Sequence, residues 1–300
     1  MKIIIGSEGM GFNVGWRTGD VIITYLLQKL YPNVVIENKN TKQCDFILSS
    51  FFNNFEPMWN TEKKKYIYWS GESYEPKRNN NETKSLFITT TLQPNMRNHM
   101  YTPYVLHSPH LYKERKYVNN NRPYLLAYCS SNYVDTREQV FDLFVQKTNE
   151  KVCHSYGKCC GSHPTTKQKS IGGGWQSEEL IDMYKNYKFV IAMENKYVDG
   201  YVTEKILNAF YSGAIPIFWG SSIVSILFNE KAFINVNNFS TFEACVDHVV
   251  NMTEKEIDQM MKEPIYTNGD LIHLLDDNYN ITHNNQILNA YLDKLKIFLE

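Results

Sequence analysis

At 300 residues, with 43% hydrophobic and 21% charged side chains, the chain has a globular composition and enough length for two domains with cores of their own, which excludes a disordered or fibrous protein. Its net charge of −1 divides unevenly: residues 1–120 carry 15 basic and 10 acidic side chains (+5), and residues 121–300 carry 16 and 22 (−6). A global basic field for nucleic acid is therefore excluded, and an anion bound by the second half has to be held by local groups. The apolar run within Met1–Ile5 is too short for a secretory signal, and no segment reaches the ~18 uninterrupted apolar residues of a membrane span, so a cytoplasmic location is expected. Cys44, Cys129, Cys153, Cys159, Cys160 and Cys245 show no metal-ligand spacing and read as reduced thiols.

In chain order, Lys2–Gly6 reads as a strand, Asp20–Leu30 as a helix, and Cys44–Ser49, Lys65–Trp69, Leu86–Thr90 and Tyr101–Leu106 as strands. The stretch Gly6–Gly11 lacks the Gly-Lys-Ser/Thr ending of a phosphate loop and is expected to be a turn after the first strand. Lys113 to Arg122, ending at Pro123, has the composition of an interdomain linker. A second alternation follows: strand Tyr124–Cys129, helix Thr136–Lys147, strand Lys151–Ser155, helix Ser177–Tyr187, strand Lys188–Met193, helix Thr203–Ser212 closed by Gly213, and strand Ile215–Trp219. Ser240-x-x-Glu243 and Thr253-x-x-Glu256 have the spacing of capping boxes. The last helix, Asn284 to Leu299, places Leu288, Tyr291, Leu292, Leu295 and Leu299 on one face.

Two blocks of alternating strands and helices predict an α/β protein of two Rossmann-like domains with mostly parallel sheets, 1–118 and 119–300. Packing of the terminal helix on its own domain and packing back onto the first both stay open. In such folds ligands sit at the carboxyl ends of strands, and the cleft between two domains is the expected place.

The chemistry is expected in the stretch from Tyr187 to Ser222. An apolar strand ends in the polar pair Glu194-Asn195, a short loop follows, and Thr203 caps a helix whose first turn carries Glu204 and Lys205. A helix start offers backbone N–H groups and a positive dipole end, which favours phosphate, and Lys205 adds a full charge there. Glu194 and Glu204 suit ribose or sugar hydroxyls, and Tyr201 would cover a base or ribose. Taken singly, each has an ordinary structural reading, with Glu204 compensating a helix dipole and Lys205 a solvated surface lysine. The joint pattern over the whole stretch is what carries the argument.

That pattern resembles the donor-binding signature of the α1,3-fucosyltransferases, glycosyltransferase family ten, in which an aromatic-Glu-Asn precedes Tyr-x-Thr-Glu-Lys and a Gly-x-x-Pro turn. Met193 stands where the family has an aromatic. A second region is similar: Ala127–Asn132, then Arg137-Glu138, then Val152 through Ser155, Gly157, Lys158 and Cys159. The resemblance runs from about Tyr124 to Ser222. In the first half, Tyr66–Ser73 looks like the family's strand and loop bearing the acidic residue proposed as base.

The resemblance implies a GT-B type glycosyltransferase with GDP-β-L-fucose as donor and inversion by a single displacement. Arg137 becomes the counterpart of the arginine that contacts the donor pyrophosphate, Glu194, Asn195, Tyr201, Glu204 and Lys205 the rest of the donor site, and Glu72 the base, with Glu75 as fallback. No Asp-x-Asp pair is present, so no obligatory metal or cofactor is expected, although a divalent cation would be compatible as a stimulant. The acceptor implied is a glycan or glycoconjugate, with α1,3 linkage to N-acetylglucosamine the family expectation. A related GT-B transferase using another nucleotide sugar, and an inactive glycan-binding relative, are the alternatives.

Overall fold

The computed structural model of the chain describes residues 4–8, 20–38, 45–50, 65–73, 84–93, 98–108, 110, 113–117, 121–174, 177–266 and 286–300. They form two compact units: Met1–Pro109 with Val198–Tyr201 and Asp270–Glu300, and His110–Tyr197 with Val202–Gly269. The division is therefore not a single cut at 118/119, because the chain enters the first unit three times.

The first unit contains strands β1 (Ile4–Glu8), β2 (Val35–Asn38), β3 (Phe46–Ser50), β4 (Lys65–Ser70), β5 (Ser85–Thr89) and β6 (His99–Tyr101), all parallel, in the order β2-β1-β3-β4-β5-β6. Helix α1 (Asp20–Leu30) buries Ile23, Leu26 and Leu27, the i, i+3, i+4 spacing of one apolar face. The expected strand Tyr101–Leu106 is only its first residue. Pro103 lacks the N–H a ladder needs, and Tyr104–His107 form a 3₁₀ turn instead. The four-residue β2 is too short to announce itself by periodicity.

The terminal helix, α8 (Gln286–Leu299), belongs to this unit and packs against α1. It buries Leu295 and Leu299, and half-buries Tyr291 and Leu292; the side chain of Leu288 lies outside the described residues. Lys65 Nζ donates to the carbonyls of Phe298 (2.8 Å) and Leu299 (3.1 Å), satisfying orphan acceptors at the negative end of the helix, and Tyr291 Oη donates to Tyr101 O at 2.7 Å. The Val198–Tyr201 segment is tied in by Leu92 N–H donating to Asp199 O (2.8 Å) and Tyr101 Oη to Gly200 O (2.7 Å).

The second unit contains strands β7 (Tyr124–Ser130), β8 (Cys153–Gly157), β9 (Tyr187–Ile191), β10 (Ile215–Phe218) and β11 (Ile234–Asn235), all parallel, in the order β11-β10-β9-β7-β8. Successive side chains alternate between faces. Leu126, Tyr128, Phe189 and Ile191 pack on Phe141 and Phe144 of α2 (Asp135–Lys147) and on Val246 of α6 (Phe242–Val250). Ala127 and Val190 face Leu180 and Tyr184 of α3 (Glu178–Tyr184) and Ala209 of α4 (Glu204–Tyr211). The strand order reverses at β7, which has β8 on one side and β9 on the other. In an open parallel sheet that reversal opens a crevice at the strand ends.

One local expectation shifts and another holds. The cap of α6 is Thr241 rather than Ser240: Thr241 has extended backbone and its Oγ1 accepts from Ala244 N–H at 3.0 Å. The Thr253–Glu256 capping box on α7 (Glu254–Lys262) is formed. A short helix α5 (Val224–Leu227) follows β10.

The described residues of the polar stretch, 113–117 and 121–122, are fastened to the second unit rather than hanging as a linker. Arg122 is buried and donates to the carbonyls of Tyr184 (3.2 Å), Tyr187 (2.9 Å), Tyr117 (3.0 Å) and Ser212 (3.0 Å). Lys116 N–H donates to Tyr211 O at 2.7 Å. Those carbonyls end α3, begin β9 and end α4, so one guanidinium fastens the strap to three elements. The strap lies so close to Gly213 (φ +78°) that a Cβ there would stand 1.8 Å from Tyr117 O. Gly213→Ala is expected to lower the stability of this unit by about 2–3 kcal/mol, from the positive φ and the backbone clash together. Urea unfolding measures it, and a loss below about 0.5 kcal/mol would mean the strap does not hold this position.

Candidate active site

At the ends of the second unit's strands lies a cavity of about 660 Å³, within the roughly 300–1,000 Å³ usual for small-ligand sites. It sits at the strand-order reversal. Ser130, Ser131 and Asn132 come from the end of β7, Gly157 and Lys158 from the end of β8, Met193 and Asn195 from beyond β9, and Glu204, Lys205 and Asn208 from α4. Leu180 and Tyr184 of α3 supply an apolar wall, with Ile171 beside them.

Arg137, in the first turn of α2, lines the cavity yet is only 5% exposed. Its Nε donates to Met193 O at 2.9 Å, Nη1 lies 3.4 Å from Ser130 Oγ, and Nη2 donates to Asn195 Oδ1. All three acceptors are neutral. The guanidinium is thus held rigidly between the ends of β7 and β9 while its charge is left uncompensated, which prepares the cavity for an anion.

Glu194 is fully buried and does not line the cavity. Its Oε1 accepts from Thr203 N–H (2.7 Å) and the Thr203 hydroxyl (2.8 Å), and its Oε2 accepts from Lys205 Nζ (3.0 Å). Where the sequence suggests a ligand hydroxyl as its partner, the Glu194 carboxylate here holds the backbone N–H at the start of α4 and the lysine two residues on. The main chain is pinned as well. Glu194 N–H donates to Trp219 O at 2.8 Å, and a Cβ on Gly220 would stand 3.0 Å from Glu194 Cγ.

Lys205 is 27% exposed and lines the cavity between two carboxylates, with Glu194 at 3.0 Å and Glu204 Oε1 at 3.9 Å. Burial pulls its ammonium down, but Glu194 and then Glu204 outweigh it and hold its pKa above the ordinary lysine value. Glu204 is 8% exposed, and its carboxyl is pushed up by burial first, with Lys205 pulling it down and the Glu194 charge adding to the rise. Burial also pushes the Cys129 thiol on the cavity wall up to about 11, which keeps it protonated and unreactive.

Of the seven side chains named from sequence, Arg137, Asn195, Glu204 and Lys205 meet in this cavity, with Glu194 directly behind. Tyr201 is 4% exposed, is grouped with the first unit and is not among the lining residues. Glu72 belongs to the first unit, two residues past β4; it is half-buried and its N–H donates to Ser70 Oγ at 3.2 Å. Glu75 and the turn residues from Gly9 to Gly11 lie outside the described residues. The sequence reading named Ser130, Asn132 and Lys158 within a motif without a role. It missed Leu180, Tyr184 and Asn208, whose apolar or helical context reads as core. Among the described residues, no three His, Cys, Asp or Glu side chains are grouped to hold a metal ion, and no helix is long and apolar enough to cross a membrane.

Residues 119–262 match the model of the glycosyltransferase family 10 (fucosyltransferase) C-terminal domain. A protein of Acanthamoeba polyphaga mimivirus that carries a fucosyltransferase name is 33% identical over 130 residues, 42% of this chain and 22% of the relative. The alpha-(1,3)-fucosyltransferase FucT of Helicobacter pylori is 23% identical over 271 residues, 82% of this chain and 56% of the relative. The chain thus spans about half or less of the length of these relatives. A crystal structure of an alpha1,3-fucosyltransferase with GDP superposes with a TM-score of 0.69 at 17% identity, covering 99% of this chain and 90% of that one. The fold is GT-B, and the cavity is built entirely from residues 119–262, the stretch that is similar to the glycosyltransferase family 10 C-terminal domain.

Proposed function

We propose that the chain is an inverting fucosyltransferase. It moves L-fucose from GDP-β-L-fucose to a hydroxyl of an acceptor glycan, with α1,3 linkage to N-acetylglucosamine as the expected product. The observation that carries this reading is the meeting of Arg137 and Lys205 over one cavity at the strand-order reversal, inside the stretch that matches the family model. The acceptor oxygen attacks the anomeric carbon as the bond to the diphosphate breaks, GDP leaves, and a base takes the hydroxyl proton. Arg137 and Lys205 stabilise the charge gathering on the departing diphosphate; both are positioned beforehand, so little reorganisation is needed as that charge develops. With two fixed cations at this point, transfer needs no metal.

Glu72 is the proposed base. Its pKa needs only modest tuning, because the sugar develops cationic character before the proton has to move. Glu72→Gln is expected to reduce turnover by about 10²–10⁴ while GDP affinity by calorimetry stays that of the wild type. Unchanged turnover would move the search to Glu75.

Asn195, Glu204 and Lys205 address a ribose and a diphosphate more directly than they address fucose, which favours a related donor as the second reading. Titration with GDP-fucose, GDP-mannose and UDP-sugars separates the two. Transfer is tested by incubation with GDP-fucose, a glycan panel and excess chelator, followed by linkage analysis. Fucosylated product is expected. Donor hydrolysis without transfer, or a product formed only from another nucleotide sugar, would overturn the reading.

A further inference from the structure

We propose that Lys158 is the mobile cation that closes on the diphosphate of the nucleotide, completing a grip of which Arg137 and Lys205 supply only the fixed part. The inference rests on the reading of the cavity as a nucleoside-diphosphate site, and adds to it a residue that reading leaves without a role.

The other two cations already have partners. Three donor nitrogens of Arg137 already serve Met193, Ser130 and Asn195, and Lys205 Nζ donates to Glu194 Oε2 and to Thr203 Oγ1 (2.9 Å). Lys205 lies between the carboxylates of Glu194 and Glu204, so its charge is largely spent on them, and of these two cations only Arg137, which faces neutral acceptors, keeps its charge for a diphosphate. Lys158 lines the same cavity and is exposed, and among the described residues its ammonium makes no hydrogen bond or ion pair.

The backbone around Lys158 is built with care. The N–H groups of Lys158 (2.9 Å) and Cys159 (3.1 Å) both donate to Ser130 O, which hangs the turn after β8 over the end of β7. Gly157 has φ +84°, and a Cβ there would stand 2.4 Å from Ser130 O, so only glycine permits this approach. Four residues on, Gly161 N–H donates to Glu138 Oε2 (2.6 Å) and Ser162 N–H to Asp142 Oδ1 (2.8 Å), fixing the far side of the turn to α2. Arg137 Nη1 lies 3.4 Å from the hydroxyl of the same Ser130 whose carbonyl anchors Lys158. One residue therefore seats the root of Lys158 and the head of Arg137 together, and both side chains line the same cavity. A flexible ammonium on a rigid turn suits a ligand that must be gripped and then released as product.

The test titrates GDP and guanosine into the full chain, as wild type, Lys158→Gln and Lys158→Arg. The expected result is that Lys158→Gln weakens GDP binding about tenfold or more, that Lys158→Arg recovers most of it, and that guanosine binds all three alike, which also shows that the variants are folded. Raised salt should weaken GDP binding more in the wild type than in Lys158→Gln. GDP binding unchanged in Lys158→Gln, or GDP and guanosine weakened equally, would overturn the role of Lys158 and leave the nucleotide site standing. Failure of the wild type to bind GDP at all would overturn both.

Discussion

The arrangement of this site depends on one buried carboxylate. Removing Glu194 from water is costly by several kcal/mol, and the protein offsets this with the Thr203 N–H, the Thr203 hydroxyl and the Lys205 ammonium. The consequence is geometric. The end of β9 is locked to the start of α4 across the eight residues between Glu194 and Thr203. Lys205 is thereby aimed at the cavity, Glu204 is drawn in beside it, and the carbonyl of Met193, one residue before the clamp, is presented to Arg137. Take the carboxylate away, and the lysine, the helix start and the seat of the arginine lose their common reference.

A division of labour among the cations follows. Arg137 is held by neutral acceptors and keeps its charge for a ligand, whereas Lys205 faces two carboxylates that hold its proton firmly. The second half of the chain carries a net −6, so attraction for an anion arises from this arrangement and not from the overall field. Away from the cavity, Arg122 does comparable work by fastening a polar strap to the carbonyl ends of α3 and α4. Since α3 provides Leu180 and Tyr184 to the cavity wall, that strap also supports the site.

Much of this was legible in the residues. Alternating strands and helices in two blocks foretell two parallel sheets, Asn195, Glu204 and Lys205 stand in a pattern whose spacing places them at a strand end and a helix start, and Arg137 is legible through the family resemblance. What could not be read is what depends on partners distant in sequence. Nothing local marks Glu194 as a buried clamp instead of a ligand-facing acid, because its donors come from nine and eleven residues on and its burial from β10. Arg122 sits in a run of polar residues typical of a linker, and three of its four carbonyl acceptors come from three separate elements distant in sequence. Pro103 is visible in the sequence, but a proline is tolerated in an edge strand such as β6, so by itself it does not mark where the strand stops. The cap at Thr241 lost out to the neighbouring Ser240 because two hydroxyl residues stand side by side and only the backbone geometry decides between them.

The central claim is that the second unit holds a nucleoside diphosphate at the ends of β7, β8 and β9. Hydrogen exchange of the full chain with and without GDP tests it most directly, because exchange reports where a ligand acts as well as whether it binds. The account predicts slowed exchange on adding GDP at residues 130–132, 157–159 and 193–208, the segments gathered around Arg137 and Lys205. Protection confined to the first unit, with those three segments unchanged, would contradict it.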